Sequence, residues 1–114
     1  MANSTRFALP LMAGNQNQKH VTYNDLVMML DVLMHLSVKD RNLTAPPGSP
    51  ADGDCYMPAS GATGAWAAWD FNIAAYQNGA WVKYVPVLGM RCFVEDEKIE
   101  LVYTGSIWET LATV

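Results

Sequence analysis

Apolar residues recur at Leu26, Met29, Leu30, Leu33 and Leu36, at i, i+3, i+4, i+7 and i+10. This is the spacing of a buried helical stripe, and it predicts an α-helix over residues 23–36. Thr22 can cap the first turn, and Asp25 three residues later completes a loose capping box at the positive end of the helix dipole. Val27, Met28, Val32 and Met34 carry apolar character around most of the remaining circumference, leaving Asn24, Asp31 and His35 as a narrow polar strip. A helix apolar on nearly all sides must be covered on nearly all sides, and one small sheet covers only one of them. Packing against helices of other copies is therefore expected, with Leu26, Met29, Leu30, Leu33 and Met34 at the interface. The alternative is that the N-terminal segment folds back over the exposed face.

From Cys55 onward the pattern changes to short β-type runs separated by turn signals. Strands are expected at 55–58, 71–77, 81–85, 90–95 and 98–104. Ile99, Leu101 and Tyr103 alternate with Lys98 and Glu100, as in a sheet with one buried face. Asn78-Gly79 supplies the positive backbone angles of a two-residue hairpin turn, and Asp96-Glu97 marks a second hairpin. The expected fold is α+β: an extended N-terminal arm over 1–21, one apolar helix in 22–37, a Pro/Gly-rich linker over 38–54, and an antiparallel meander of about five short strands in 55–114. The arm mixes apolar residues around Pro10 with the amide-rich "GNQNQKH" and follows neither the helical nor the strand period. It needs a surface to satisfy its backbone, such as a neighbouring subunit.

Two hexads, "YQNGAW" (76–81) and "YTGSIW" (103–108), repeat a Tyr, a Gly-containing turn and a Trp five residues after the Tyr. The spacing brings the two rings together across a tight hairpin, where an aromatic pair contributes about 0.2 to 1 kcal/mol. Core packing is thus the expectation for Trp81 and Trp108. Trp66 and Trp69 stand in the loop-like "GATGAWAAWD" and are the expected exposed pair. With Tyr76 they are candidates for carbohydrate contact, because aromatic faces stack on the apolar faces of sugar rings.

Length and composition narrow the class. One domain is expected from 114 residues, of which 51% are hydrophobic and only 16% charged, so some apolar surface is expected to meet other subunits. Seven basic against eleven acidic residues give a net charge of −4, with no basic stripe for nucleic acid or anionic lipid. No apolar run approaches the roughly 20 residues that span a bilayer, and no secretory signal is expected at the start. Cys55 and Cys92 are read as free, half-buried thiols.

No catalytic constellation emerges, and the chain is expected not to be an enzyme. His35 at the helix end suits a capping role, while Ser37 has no recognisable triad around it. A hydrolase reading would require His35, Asp31 and Ser37 to converge. Asp52-Gly53-Asp54 lacks the further ligands of a calcium loop, and no cysteine and histidine spacing fits zinc, so no metal or cofactor is expected.

The run "LPLMAGNQNQKHVTYNDLVMMLDVLMHLSVKDRNLTAPPGSPADGDCYMPASGATGAWAAWD" (9–70), followed by "IAAYQNGAW" and "YTGSIW", resembles an uncharacterised domain family. That family occurs in tail-fibre, host-specificity and other surface proteins of alphaproteobacterial phages, prophages and gene transfer agents. The resemblance covers residues from about 9 to 108. It implies a non-catalytic virion structural protein, at the virion surface after assembly in the bacterial cytoplasm, with other head or tail proteins as partners. In longer relatives the domain accompanies additional sequence, and the end of this chain soon after Trp108 makes an anchor, adaptor or decoration role the expectation. A homo-oligomer is implied, with a trimer favoured. The alternative is a carbohydrate-binding module that recognises host surface polysaccharide.

Overall fold

The computed structural model describes residues 3–11 and 19–113. Its elements are helix α1 (Lys19–Leu33), strands β1 (Ser37–Val38) and β2 (Cys55–Tyr56), a 3-10 turn (Gly64–Trp66), and strands β3 (Ile73–Gln77), β4 (Ala80–Tyr84), β5 (Arg91–Val94), β6 (Ile99–Tyr103) and β7 (Trp108–Thr113). The fold is α+β, as expected, but the strands form two sheets instead of one meander. One sheet has the order β1-β5-β6-β7, with β1 parallel to β5; the other has the order β2-β3-β4 and is antiparallel throughout.

The helix lies earlier than its pattern predicts. Thr22 is an interior position of α1, and the helix stops at Leu33 instead of Leu36. The stop has a tertiary cause: the Leu36 carbonyl accepts a hydrogen bond from the Phe93 amide (3.1 Å), and Val38 accepts one from Glu95 (2.8 Å). Residues 36–38 therefore add an edge strand to β5. Two ladder bonds to a neighbouring strand outcompete one more helical turn whose end would be capped poorly.

The hairpins follow their turn residues. Asn78 (φ 54°) and Gly79 (φ 81°) join β3 to β4, with Tyr76 opposite Trp81 in register. The β5–β6 turn occupies Glu95 to Lys98, with Lys98 in the left-handed region (φ 55°), so Lys98 leaves the strand that alternation assigns to it. The Tyr76–Trp81 and Tyr103–Trp108 ring pairs form at centroid distances of 5.0 and 5.1 Å.

Both sheets and the helix share one core. Val32 and Leu36 meet Val38, Cys55, Met57, Ile73, Ala75, Cys92, Val94 and Leu101. Cys55 and Cys92 are free thiols, wholly buried instead of half-buried. Burial pushes the Cys55 thiol up to about 11 and the Cys92 thiol up to about 12, so both stay protonated and unreactive at neutral pH. Gln77 ties the helix to the second sheet: its amide donates to the Met28 carbonyl (3.0 Å) and its oxygen accepts from the Tyr84 hydroxyl (2.8 Å).

The described part of the arm folds back on its own chain. Asn3 and Pro10 form a bridge, and the Ser4 amide donates to the Leu9 carbonyl (2.8 Å), closing residues 3–10 into a small loop. The rest of the expected arm that falls on 1–2 and 12–18 lies outside the described residues. The linker is anchored at both ends. Its first residues exchange backbone bonds with the chain after β2, including the Met57 amide to the Asp40 carbonyl (3.1 Å) and Ala59 to Leu43 (2.8 Å).

Candidate functional site

The two faces of α1 differ sharply. Val27, Met28, Asp31 and Val32 are buried. Leu26, Met29, Leu30 and Met34 are between 43% and 54% exposed, and Leu33 is half-buried. At about 100° per residue the two sets are centred on opposite sides of the helix. The stripe at i, i+3, i+4 and i+7, which the sequence marks as buried, faces outward in the single copy. Of the polar strip, Asp31 is buried on the inward face, Asn24 is half-buried and His35 is exposed.

Asp31 explains the inversion. It is completely buried, and its carboxylate accepts from the Ser4 hydroxyl (2.6 Å), the Thr5 hydroxyl (3.4 Å), and the backbone amides of Arg6 (2.7 Å) and Phe7 (2.6 Å). A buried carboxylate is tolerated only when such donors replace its water. Arg6 continues the clamp. Its guanidinium donates to the carbonyls of Asp31 (3.0 Å), Val32 (2.8 Å) and His35 (2.7 Å), which have no further helical turn to donate to them. A cation at the C-terminal end also suits the helix dipole. The capping role expected of His35 is thus filled by Arg6, while the His35 ring stands edge-on to Phe7 at 6.2 Å. The arm covers Asp31 and leaves the apolar stripe open.

The open stripe continues beyond the helix. Leu33 and Met34 line a recess of about 770 Å³ together with Val87, Leu88, Met90 and Phe93. Val87 and Leu88, on the β4–β5 loop, are 61% and 75% exposed. Four of the five expected interface residues are therefore exposed, the fifth half-buried, and an apolar loop borders them.

The expected carbohydrate residues are placed differently. Trp66 is fully buried instead of exposed. Tyr56, paired with Ala74, shares an outer face of the second sheet with Trp81, paired with Tyr76. The 3-10 turn lays Trp66 on that face, its ring 5.6 Å from Tyr56 and 5.1 Å from Trp81, nearly perpendicular to the latter. Its indole N–H has no hydrogen-bond partner among the described residues, and the edge-on approach to Trp81 gives it an aromatic neighbour instead. Trp66 therefore offers no face to a ligand. Trp69 and Tyr76 are half-buried, and the Tyr76 ring packs on Trp81.

The three groups named for a hydrolase have separate partners. Asp31 is taken by the arm, the Ser37 hydroxyl donates to Glu95 (2.6 Å), and His35 faces Phe7. No group of three or more His, Cys, Asp or Glu residues among those described is arranged to hold a metal ion. No described helix is long and apolar enough to cross a membrane.

Residues 23–109 match the family model described as a protein of unknown function, DUF2793. No curated protein matches the sequence.

Proposed function

We propose, for a chain that belongs to the DUF2793 family, a non-catalytic role as an oligomeric subunit of a virion surface appendage, acting as anchor or adaptor. The observation that carries self-association is the open stripe of Leu26, Met29, Leu30, Leu33 and Met34, opposite the buried face of α1. The virion role rests on the resemblance of residues 9–70 to a domain of phage and gene-transfer-agent surface proteins. Head or tail proteins are its other proposed partners.

Magnitudes set the extent of the interface. Burying what remains exposed of each stripe residue contributes about 1 kcal/mol, half the value of a fully buried aliphatic side chain. Five such residues roughly match the lower end of the association cost, about 4 to 15 kcal/mol. The stripe alone is too small. Val87 and Leu88, the most exposed apolar residues beside it, must join the contact. The stripe also spans roughly 140° of helix circumference at about 100° per residue, enough to meet two neighbours at once. That breadth favours a trimer over a dimer.

Multi-angle light scattering on the purified chain at micromolar concentration should give a multiple of the 12.5 kDa protomer mass. The double variant Leu26→Glu, Leu30→Glu should run as a folded monomer, because both positions are exposed in the single copy. A wild-type monomer under these conditions would overturn the reading.

A further inference from the structure

A second recess, of about 420 Å³, opens where the start of the linker, the chain after β2 and the β6–β7 turn meet. Buried Met57 contributes to its lining, and Phe71, Ile107 and Trp108 supply apolar walls. Its volume lies within the range of small-molecule sites.

Phe71 is the informative residue. Its backbone is in the left-handed region (φ 63°), where a bulky aromatic residue is a conformational outlier, and its side chain is 47% exposed. Two tethers hold it there. Its amide donates to the Pro58 carbonyl (2.8 Å), and its carbonyl accepts from the Trp108 indole N–H (2.7 Å). The second bond also fixes the Trp108 ring, which Tyr103 supports at 5.1 Å. Folding alone would be served better at this position by Gly or Asn, which adopt positive φ at lower cost. A strained backbone instead displays an aromatic ring beside a second immobilised one.

The polar lining is neutral in sum. Arg41 is locked in a two-bond fork to Glu97 (2.8 and 2.9 Å), so its charge is matched within the protein. Asn42, whose side chain also bonds Glu97, and Ser60 are exposed. Apolar rings beside amide and hydroxyl groups, with no net charge, suit a neutral amphipathic ring that has a C–H face and a hydroxyl edge. We propose that this recess binds a neutral pyranose unit of a glycan, with its C–H face on Phe71 and its hydroxyls toward Asn42 and Ser60. None of Trp66, Trp69 and Tyr76 lines this recess, and neither does any residue of α1, so the assignment is independent of self-association.

The test is an NMR titration of the full chain with methyl glucoside, galactoside, mannoside and N-acetylglucosaminide, following the Trp108 indole N–H. At least one glycoside should shift that resonance saturably. Phe71→Gly removes the ring while suiting the positive φ, so it should keep or raise the melting temperature and weaken binding by about tenfold, the upper value of one aromatic contact. If that variant does not fold, Asn42→Ala, at an exposed position, should weaken the same titration severalfold. The proposal is overturned if no glycoside moves Trp108, or if the folded Phe71→Gly chain, or failing it the Asn42→Ala chain, binds as wild type. A saturable response to N-acetyl-phenylalaninamide alone would likewise overturn it and assign the recess to a peptide side chain.

Discussion

Asp31 is one charged residue in an apolar helix, and the orientation of that helix follows from it. Its carboxylate organises four consecutive residues, Ser4 to Phe7, around itself, and the same segment places Arg6 on the last helical carbonyls. Removing the acceptor leaves several donors unsatisfied around a buried void. Asp31→Ala should cost about 3 kcal/mol, comparable with breaking a buried ionic pair. Ser4→Ala, which removes one donor, should cost about 1 kcal/mol. Urea denaturation of both variants checks this; an Asp31→Ala chain within about 0.5 kcal/mol of wild type, the size of an ordinary surface change, would contradict it. The sequence marks Asp31 as polar within an apolar run but cannot show its partners, which lie 24 to 27 positions away. Read without them, the apolar stripe looks like the buried side.

At the scale of elements, legibility follows the range of the interaction that makes each one. The β3–β4 hairpin and both Tyr–Trp clamps rest on contacts no more than eleven residues apart in sequence, and each is readable from the turn chemistry. Strand β1 is two residues long and exists only through parallel pairing with β5, 56 positions away, so its sequence reads as the end of the helix. The division into two sheets is equally non-local. Trp66 belongs with these cases. Gly and Ala around it suggest an exposed loop, yet those small residues let the 3-10 turn lie flat on the second sheet, whose strand β3 is buried on both faces at Ile73, Ala74 and Ala75. Trp66→Ala should therefore destabilise by about 3 to 5 kcal/mol, as for other buried aromatic truncations. Trp69→Ala, at a half-buried loop position, should cost about 1 kcal/mol, typical of a point substitution. Equal effects in denaturant melts would show that the 3-10 turn does not act as the cover of that sheet.

For the whole molecule, the helix and both sheets converge on a single core, with Val32 and Leu36 packed among residues of both sheets, and the arm is tied to it through Asp31. Such a chain should unfold in one cooperative step. The segments distinguished by composition are thus not independent units; the linker merely crosses between the two sheets that the core unites. A large part of the apolar surplus left over from that core lies on the outward stripe of α1 and on Val87 and Leu88. If copies bury it between them, association and folding are linked by mass action, and the melting temperature must rise with protein concentration. A hundredfold increase in concentration should move the wild-type midpoint upward by several degrees, since about 2.7 kcal/mol per hundredfold is shared among the associating copies and 1 kcal/mol shifts a domain of this size by about 4 to 8 °C. The Leu26→Glu, Leu30→Glu chain should show one transition at a midpoint independent of concentration. Differential scanning calorimetry across that range separates the two cases. A wild-type midpoint that stays fixed would mean the stripe remains open in solution, and the interface would have to be sought with a different partner.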